Sequence, residues 1–459
     1  MRGPFRRAED DPATLWHAVP ADGQRAACRC LAQGPVPADV LPDTAVVGHD
    51  GRVSIGGLDL LELIDEVGTP AFVFDEVHLR RRCRQARDAF GPGTAYAAKA
   101  FLCRAMARLV VEEGLALDVS TGGELAVALH AEVPAGRLVL HGSNKSDAEL
   151  ATALRAGVGR IVADSFDEID RLELLVPLCE GRQRPKVLVR VNPGIGPETH
   201  EYVSTGRSDS KFGFFIPSGA AAAAVERLLL PGSPVHLVGV HTHIGSQVMD
   251  LSSLRAAIAV IAAFVEPLDL QEVCIGGGLG VAYVAGEAAP SIAEWGELVR
   301  ASCRAAGLRG NLRVTAEPGR AIAATAGMTL YRIGTIKELA GIRTYVSVDG
   351  GMSDNLRPAL YGSRYEAFLP RAGSAQRPLT ATIVGKHCES GDVVVRDAHL
   401  PADVEVGDVL ATPVTGAYGY AMASNYNKVP RPPVVFVSGG DYRVVVRRET
   451  YDDLLRLDA

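Results

Sequence analysis

Leu237-Val238-Gly239-Val240-His241-Thr242-His243 carries the pattern that decides the fold of this 459-residue chain. An apolar, β-branched run of strand length ends abruptly in polar residues, and Ile244-Gly245-Ser246-Gln247 turns away from it. The same reading extends in both directions. Upstream, strand-like runs lie at 96–99, 115–119, 137–141, 160–164 and 186–192; downstream they lie at 272–276 and 312–317. Between them stand Ala/Leu/Arg/Glu stretches with helical spacing, such as 103–113 and 123–131. Strands alternating with helices predict parallel βαβ units. Eight such runs over about 250 residues predict a (β/α)8 barrel, although counting alone also allows an open, doubly wound sheet. The polar residues favour the barrel. Lys99, Asp118, His141, Asn192, His243, Gly276–Gly278 and Glu317 all fall at the C-terminal ends of runs, which a barrel gathers on one face.

Outside the barrel, assigned to 76–330, the pattern changes. At 331–459 short runs (345–348, 379–384, 393–395, 434–437, 442–446) are joined by Gly, Asp and Pro turns, which predicts a C-terminal β domain. Residues 46–75 hold a strand-like run at 51–58 and a helical segment, expected to pack on that β domain. Residues 1–45, rich in Ala, Pro and Arg without periodicity, read as an N-terminal extension.

Composition narrows the function. Lys and Arg number 47 against 54 Asp and Glu, a net charge of −7, which argues against nucleic acid or an anionic membrane as partner. Hydrophobic residues at 47% and charged residues at 22% fit a soluble globular protein. The longest uncharged apolar run, 256–265, is far short of the ~20 residues a bilayer span needs. Acidic residues follow the basic start MRGPFRRAEDD where a signal peptide would be apolar, so the expected location is cytoplasmic. The eight cysteines (28, 30, 83, 103, 179, 274, 303 and 388) are scattered, and Cys28 and Cys30 are not at CxxC spacing. Free thiols are expected.

The strand ends carry the chemistry. Lys99 sits in Tyr96-Ala97-Ala98-Lys99-Ala100, where small neighbours let a cofactor approach and desolvate an amine able to form a Schiff base with an aldehyde. His241 and His243 share a face; with no acidic third ligand nearby in sequence, no metal is expected, and one imidazole can stack on a flat ring. Gly245-Ser246 offers amide and hydroxyl donors to an anion, and Gly276-Gly277-Gly278-Leu279-Gly280, directly after a strand, can cradle phosphate. Glu317 can pair with a protonated ring nitrogen, and Arg320 with phosphate or carboxylate. An amine, a stacking ring, a phosphate cradle and a carboxylate together match what pyridoxal 5'-phosphate requires.

Motif after motif from about Gly51 onward resembles the diaminopimelate decarboxylases, pyridoxal-phosphate enzymes of the alanine-racemase-like fold class. The matching stretches are YAAKA (96–100), DVSTGGEL (118–125), HGSNKS (141–146), KFGF (211–214), HTHIGSQ (241–247), GGGLG (276–280) and EPGR (317–320). DGGMSDNLRPALYG (349–362), CESGD (388–392) and GAYGYAMASNYN (416–427) extend the likeness through the second domain. The resemblance implies decarboxylation of meso-2,6-diaminoheptanedioate at its D-configured carbon to L-lysine and carbon dioxide, the last step of lysine biosynthesis. It implies that Lys99 holds the cofactor covalently, with Asp118 beside it and His243 stacked on the ring. Ser246, Gly278, Gly319 and Arg320 would bind the phosphate region, and Glu317 the ring nitrogen. Arg320, Arg357 and Tyr361 would position the substrate, Glu389 would meet its distal ammonium, and Tyr418 would lie against both ligands. Cys388 would be the general acid. CESGD would reach the site from a partner subunit, so a homodimer with shared active sites is expected. Decarboxylases of ornithine, arginine or carboxynorspermidine are the nearest alternatives, and Arg357 together with CESGD counts against them. A racemase would not be expected to carry CESGD, and the small non-catalytic carriers of this cofactor have no β domain.

Overall fold

The computed structural model describes residues 34–179, 184–195 and 210–459. Residues 1–33, the greater part of the expected extension with Cys28 and Cys30, lie outside the described residues.

Eight parallel strands follow one another around a single sheet: Ala95–Ala97, Ala116–Val119, Leu138–Leu140, Arg160–Ala163, Lys186–Asn192, His236–His241, Glu272–Cys274 and Arg313–Thr315. The last meets the first. Ala95 N–H donates to Ala316 O at 3.0 Å and Ala97 N–H to Pro318 O at 3.3 Å, which closes the cylinder and decides against an open sheet. The helices packed outside begin where small hydroxyl residues can cap them: Thr121, Ser146, Ser165 and Ser291 each accept an amide of the first turn.

Two strand ends differ from the sequence reading. The first strand stops at Ala97, and Lys99 stands on a single 3-10 turn, Ala98–Ala100. The eighth stops at Thr315, so Glu317 also lies beyond its strand. At the barrel mouth the ladder has no further partners, and the chain bonds to the second domain instead, Tyr418 N–H donating to Ala100 O at 2.8 Å.

Inside the barrel the side chains form layers. Ala95, Ala116, Val139, Val162, Leu188, Val238 and Cys274, one from each of seven strands, make a buried apolar floor. Successive side chains alternate across a strand, so residues two further along share the interior face. Asp118, His141, Asp164 and Arg190 stand in that position above Ala116, Val139, Val162 and Leu188. A register shift between Leu237 and Gly239 brings His241 into the same layer. An apolar floor thus carries a charged ring at the end where the strands open.

The second domain is built around Gly327–Leu339. Its first half pairs with Ala71–Asp75 and Val409–Pro413, its second half with Arg343–Val348 beyond a bulge at Gly334. Leu379–Val384 and Val393–Leu400 extend one edge; Val434–Ser438 and Asp441–Val446 extend the other, with Val434–Ser438 running parallel to Ala71–Asp75. The sequence reading passes over Ala71–Asp75 and Val409–Pro413 because every residue of both is buried, and a strand buried on both faces shows no alternation. The run at 51–58 is two short strands, Val53–Ile55 and Leu58–Asp59, of a separate three-stranded sheet. Behind them the helix Leu60–Val67 buries Leu60, Leu63 and Ile64 in one cluster with Val73, Met328, Leu330 and Val435. No helix among the described residues is long and apolar enough to cross a membrane.

Candidate active site

A cavity of about 800 Å³ opens at the mouth of the barrel, lined by Lys99, Asp118, His141, Arg190, His241, His243, Ser246, Glu317, Arg320, Arg357, Tyr361 and Tyr418. A small recess against it is lined by Lys99, His243, Ser246, Gly278, Glu317, Gly319, Arg320 and Tyr418. The fold therefore gathers eleven of the thirteen residues singled out from the sequence. Cys388 and Glu389 line neither space. They sit on an exposed loop of the β domain, where the Tyr426 hydroxyl donates to Glu389 Oε1, and His387 bonds Ser353 Oγ at 2.8 Å and Asn427 Oδ1 at 3.0 Å.

At the floor of the cavity Glu317 is held at both oxygens. His141 Nε2 is 2.9 Å from Oε1 and His241 Nε2 is 2.9 Å from Oε2. Burial alone would raise its pKa, but the two imidazoles hold the Glu317 carboxyl well below the usual range. The sequence had offered His241 no acidic neighbour. The structure corrects this: Glu317 arrives from another strand, and the imidazole sharing it is His141, not His243. The ligand atoms of His141, His241 and Glu317 lie within 4.8 Å of one another, and two imidazoles hydrogen-bonded to one carboxylate account for that spacing.

His243 has a different role. Its Nδ1 accepts the Gly277 amide at 3.1 Å, and burial, with Lys99 nearby, pushes its pKa well down. The ring is thus neutral, fixed in orientation and beside the lysine. Nearby, Asp118 is pushed up to about 7 by burial, and its Oδ1 has no hydrogen-bond partner among the described residues. A buried orphan acceptor beside an amine is costly to leave unmet and fits a site completed by a ligand.

The upper wall carries cations. Arg320 donates to Ser246 Oγ at 2.8 Å and to the Tyr283 hydroxyl at 2.5 Å, and lies 4.6 Å over the Tyr418 ring. Arg357, at the start of the short helix Arg357–Tyr361, lies 4.4 Å over the Tyr283 ring and donates to the Tyr365 hydroxyl at 2.6 Å. Both arginines are buried, yet no carboxylate among the described residues pairs with either. Tyr418 itself holds a positive φ of 60°, backbone strain of a kind that gathers at functional sites. The glycines make room below. A Cβ on Gly278, at φ +108°, would meet Gly245 O at 2.3 Å, and one on Gly277 would meet Glu317 O at 2.4 Å. Only glycine lets the 276–280 turn press this closely on its neighbours. An amine, a neutral imidazole, a buried carboxylate and a glycine-lined recess beside Ser246 and Arg320 suit a flat ring bearing a phosphate.

Sequence reasoning missed five residues here. His141 stood at a strand end within HGSNKS but received no role, His241 was weighed only as a metal ligand or a stacking ring and not as a partner of Glu317, and Arg190, Tyr283 and Tyr365 carried no signal.

Comparison with known proteins bears on the same residues. Positions 76–324 match the family described as pyridoxal-dependent decarboxylase, pyridoxal binding domain. The diaminopimelate decarboxylase of Mycobacterium tuberculosis (strain ATCC 25618 / H37Rv) is 46% identical over 440 residues, 92% of this chain and 98% of that protein. That of Bacillus subtilis (strain 168) is 42% identical over 433 residues, 91% of this chain and 98% of that protein. The crystal structure of diaminopimelate decarboxylase from M. jannaschii in co-complex with L-lysine superposes with a TM-score of 0.83 at 32% identity, covering 91% of this chain and 98% of that one.

Proposed function

The chain belongs to the diaminopimelate decarboxylases, within the pyridoxal-dependent decarboxylase family, and from that premise we propose that it converts meso-2,6-diaminoheptanedioate to L-lysine and carbon dioxide. The carrying observation is the pair of buried arginines without a carboxylate partner. An unpaired buried guanidinium is expensive, so Arg320 and Arg357 call for ligands that bring at least two anionic groups into one cavity. A phosphorylated cofactor and a substrate carboxylate supply them.

Pyridoxal phosphate, when bound, offers an electron sink for the pair released as the carboxylate leaves. The chain's residues do the rest. Lys99 would hold the cofactor through its aldehyde, and the neutral His243 ring, fixed by the Gly277 amide, would support the pyridine. Ser246, Gly278, Gly319 and Arg320 would receive the phosphate region, while Glu317, ionised by its two histidines, would hold the ring-nitrogen proton. Arg320, Arg357 and Tyr361 would position the substrate, with Tyr418 lying against both ligands. Cys388 and Glu389 complete the site from the partner of a homodimer, a reading supported by their exposure on a loop away from their own cavity. Cytoplasmic action is supported by the six free thiols among the described residues.

Carbon dioxide release from purified protein with added pyridoxal phosphate tests this directly. Diaminopimelate alone should be consumed, with lysine formed in equal amount; release from ornithine or arginine instead would overturn the substrate. Arg357→Leu should raise KM for diaminopimelate about 10- to 100-fold, the worth of one charge-assisted pair, with kcat changing less. An unchanged KM would remove Arg357 from substrate binding. Gly278→Ala should cost on the order of 1–3 kcal/mol of strain in the cradle. It is read as cofactor lost on dialysis under conditions that leave the wild type loaded, and equal retention would dismiss the cradle assignment.

A further inference from the structure

His141 faces two carboxylates at once. Its Nε2 is 2.9 Å from Glu317 Oε1 and 3.6 Å from Asp118 Oδ1, and all three side chains are buried. The two acids cannot both stay ionised at such range without a cation between them. Other charged groups face this cluster. Arg190 is turned toward Asp164 at 3.4 Å, and Lys99 stands near Asp118 and Glu124. His241, whose ring centre is 4.8 Å from that of His141, shares Glu317. The two imidazoles are not equivalent. Burial pushes His241 down to about 4, so it is neutral and lends Glu317 only an N–H dipole. His141 is driven the other way: burial would lower it, but Asp118 and Glu317 together push it up.

Building on the pyridoxal-phosphate reading of the site, we propose that His141 is a positioning residue whose imidazolium, wedged between Asp118 and Glu317, keeps Glu317 ionised and aimed at the cofactor's ring nitrogen. Without that charge the acid pair would keep a proton for itself. Asp118, already raised by burial, takes the first proton; Glu317, left with only the dipole of neutral His241 against the burial that raises it, is driven up as well, and a protonated Glu317 cannot hold a proton on the ring. The sink then weakens although every group touching the cofactor is still present. The clamp also ties the acid beside Lys99 to the acid beneath the ring, so one imidazole sets the charge at both ends of the cofactor.

The test uses the holoenzyme. His141→Gln keeps an N–H toward Glu317 and removes the charge. The visible absorbance of the bound cofactor reports the proton on the Lys99 nitrogen, and losing a nearby cation makes that proton easier to hold. The pH midpoint of the band should rise by ~1 unit or more. kcat should fall about tenfold or more while KM stays within about twofold, because no substrate contact is touched. A well-folded His141→Gln whose midpoint and kcat match the wild type overturns the proposal, and so does a lowered Tm with the midpoint unmoved. Histidine ¹⁵N shifts in the wild-type holoenzyme provide a readout independent of any variant: His141 should be doubly protonated and His241 singly, and a neutral His141 overturns the proposal. A wild type that forms no visible band with pyridoxal phosphate would instead sink the functional reading, and this inference with it.

Discussion

Lys99→Ala is expected to abolish turnover and the visible absorbance of the bound cofactor together. Among the described residues Lys99 is the only lysine that lines both the large cavity and the recess beside Ser246, Gly278 and Arg320. It stands on a one-turn helix held from both sides, by the barrel closure at Ala97 and by Tyr418 at Ala100. A covalent anchor on so short and fixed a turn places the cofactor before substrate arrives, which is where much of the proximity advantage lies. The variant should still bind pyridoxal phosphate reversibly through the recess and keep the wild-type Tm, since the Lys99 side chain is exposed to the cavity and packs into no core. Turnover surviving at a measurable fraction of wild type would dismiss Lys99 as the anchor.

The second large effect concerns a residue that lies outside its own cavity. Cys388→Ala should leave cofactor absorbance intact and lower kcat by ~10²–10⁴, the usual worth of a positioned general acid. The expectation sharpens on mixing. If Cys388 serves the partner's cavity, inactive Lys99→Ala and Cys388→Ala proteins, unfolded and refolded together, form hybrids with one complete site in two. Random assortment then restores roughly a quarter of wild-type activity. No recovery in hybrids shown to have formed would place Cys388 in its own subunit's chemistry or in none. The loop is suited to either demand by its anchorage: His387 is buried and bonded to Ser353 and Asn427, so Cys388 projects from a fixed base.

How much of this could be read from the residues follows from what each signal depends on. Lys99, Asp118 and Glu317 were legible because each ends an apolar run, a property of neighbours in sequence. The eight-strand alternation was legible for the same reason, since each unit announces itself locally. What escaped depends on which strands meet. Glu317 is 176 positions from His141, and only closure of the cylinder makes them partners. Arg190 gave no sign because an arginine within a strand-like run reads as facing solvent until the layer above Leu188 is built around it. Tyr283 and Tyr365 support the two arginines from loops without periodicity, and their T-shaped contact at 5.3 Å exists only once both domains are in place. His241 shows the reverse error: the residue was noticed, but its acidic partner was sought nearby in sequence rather than across the barrel.

The pairing of Ala71–Asp75 between Gly327–Leu339 and Val434–Ser438 has a consequence for how the molecule is made on the ribosome. This central strand of the second sheet emerges first and waits for the whole barrel to be translated before either neighbour exists. From Asp75 to Gly327, the start of its first neighbour, is 252 positions, roughly 13 to 50 s of synthesis at ~5–20 residues per second. For that interval a buried, mostly apolar segment, Ala-Phe-Val-Phe-Asp, has no sheet to join. The barrel can close meanwhile, being complete by about residue 320, and the stack of Phe74 on Phe101 at 4.4 Å gives the waiting strand an early resting place against it. The order of birth is therefore barrel first, sheet last, with the stretch that begins the sheet held in trust by the barrel.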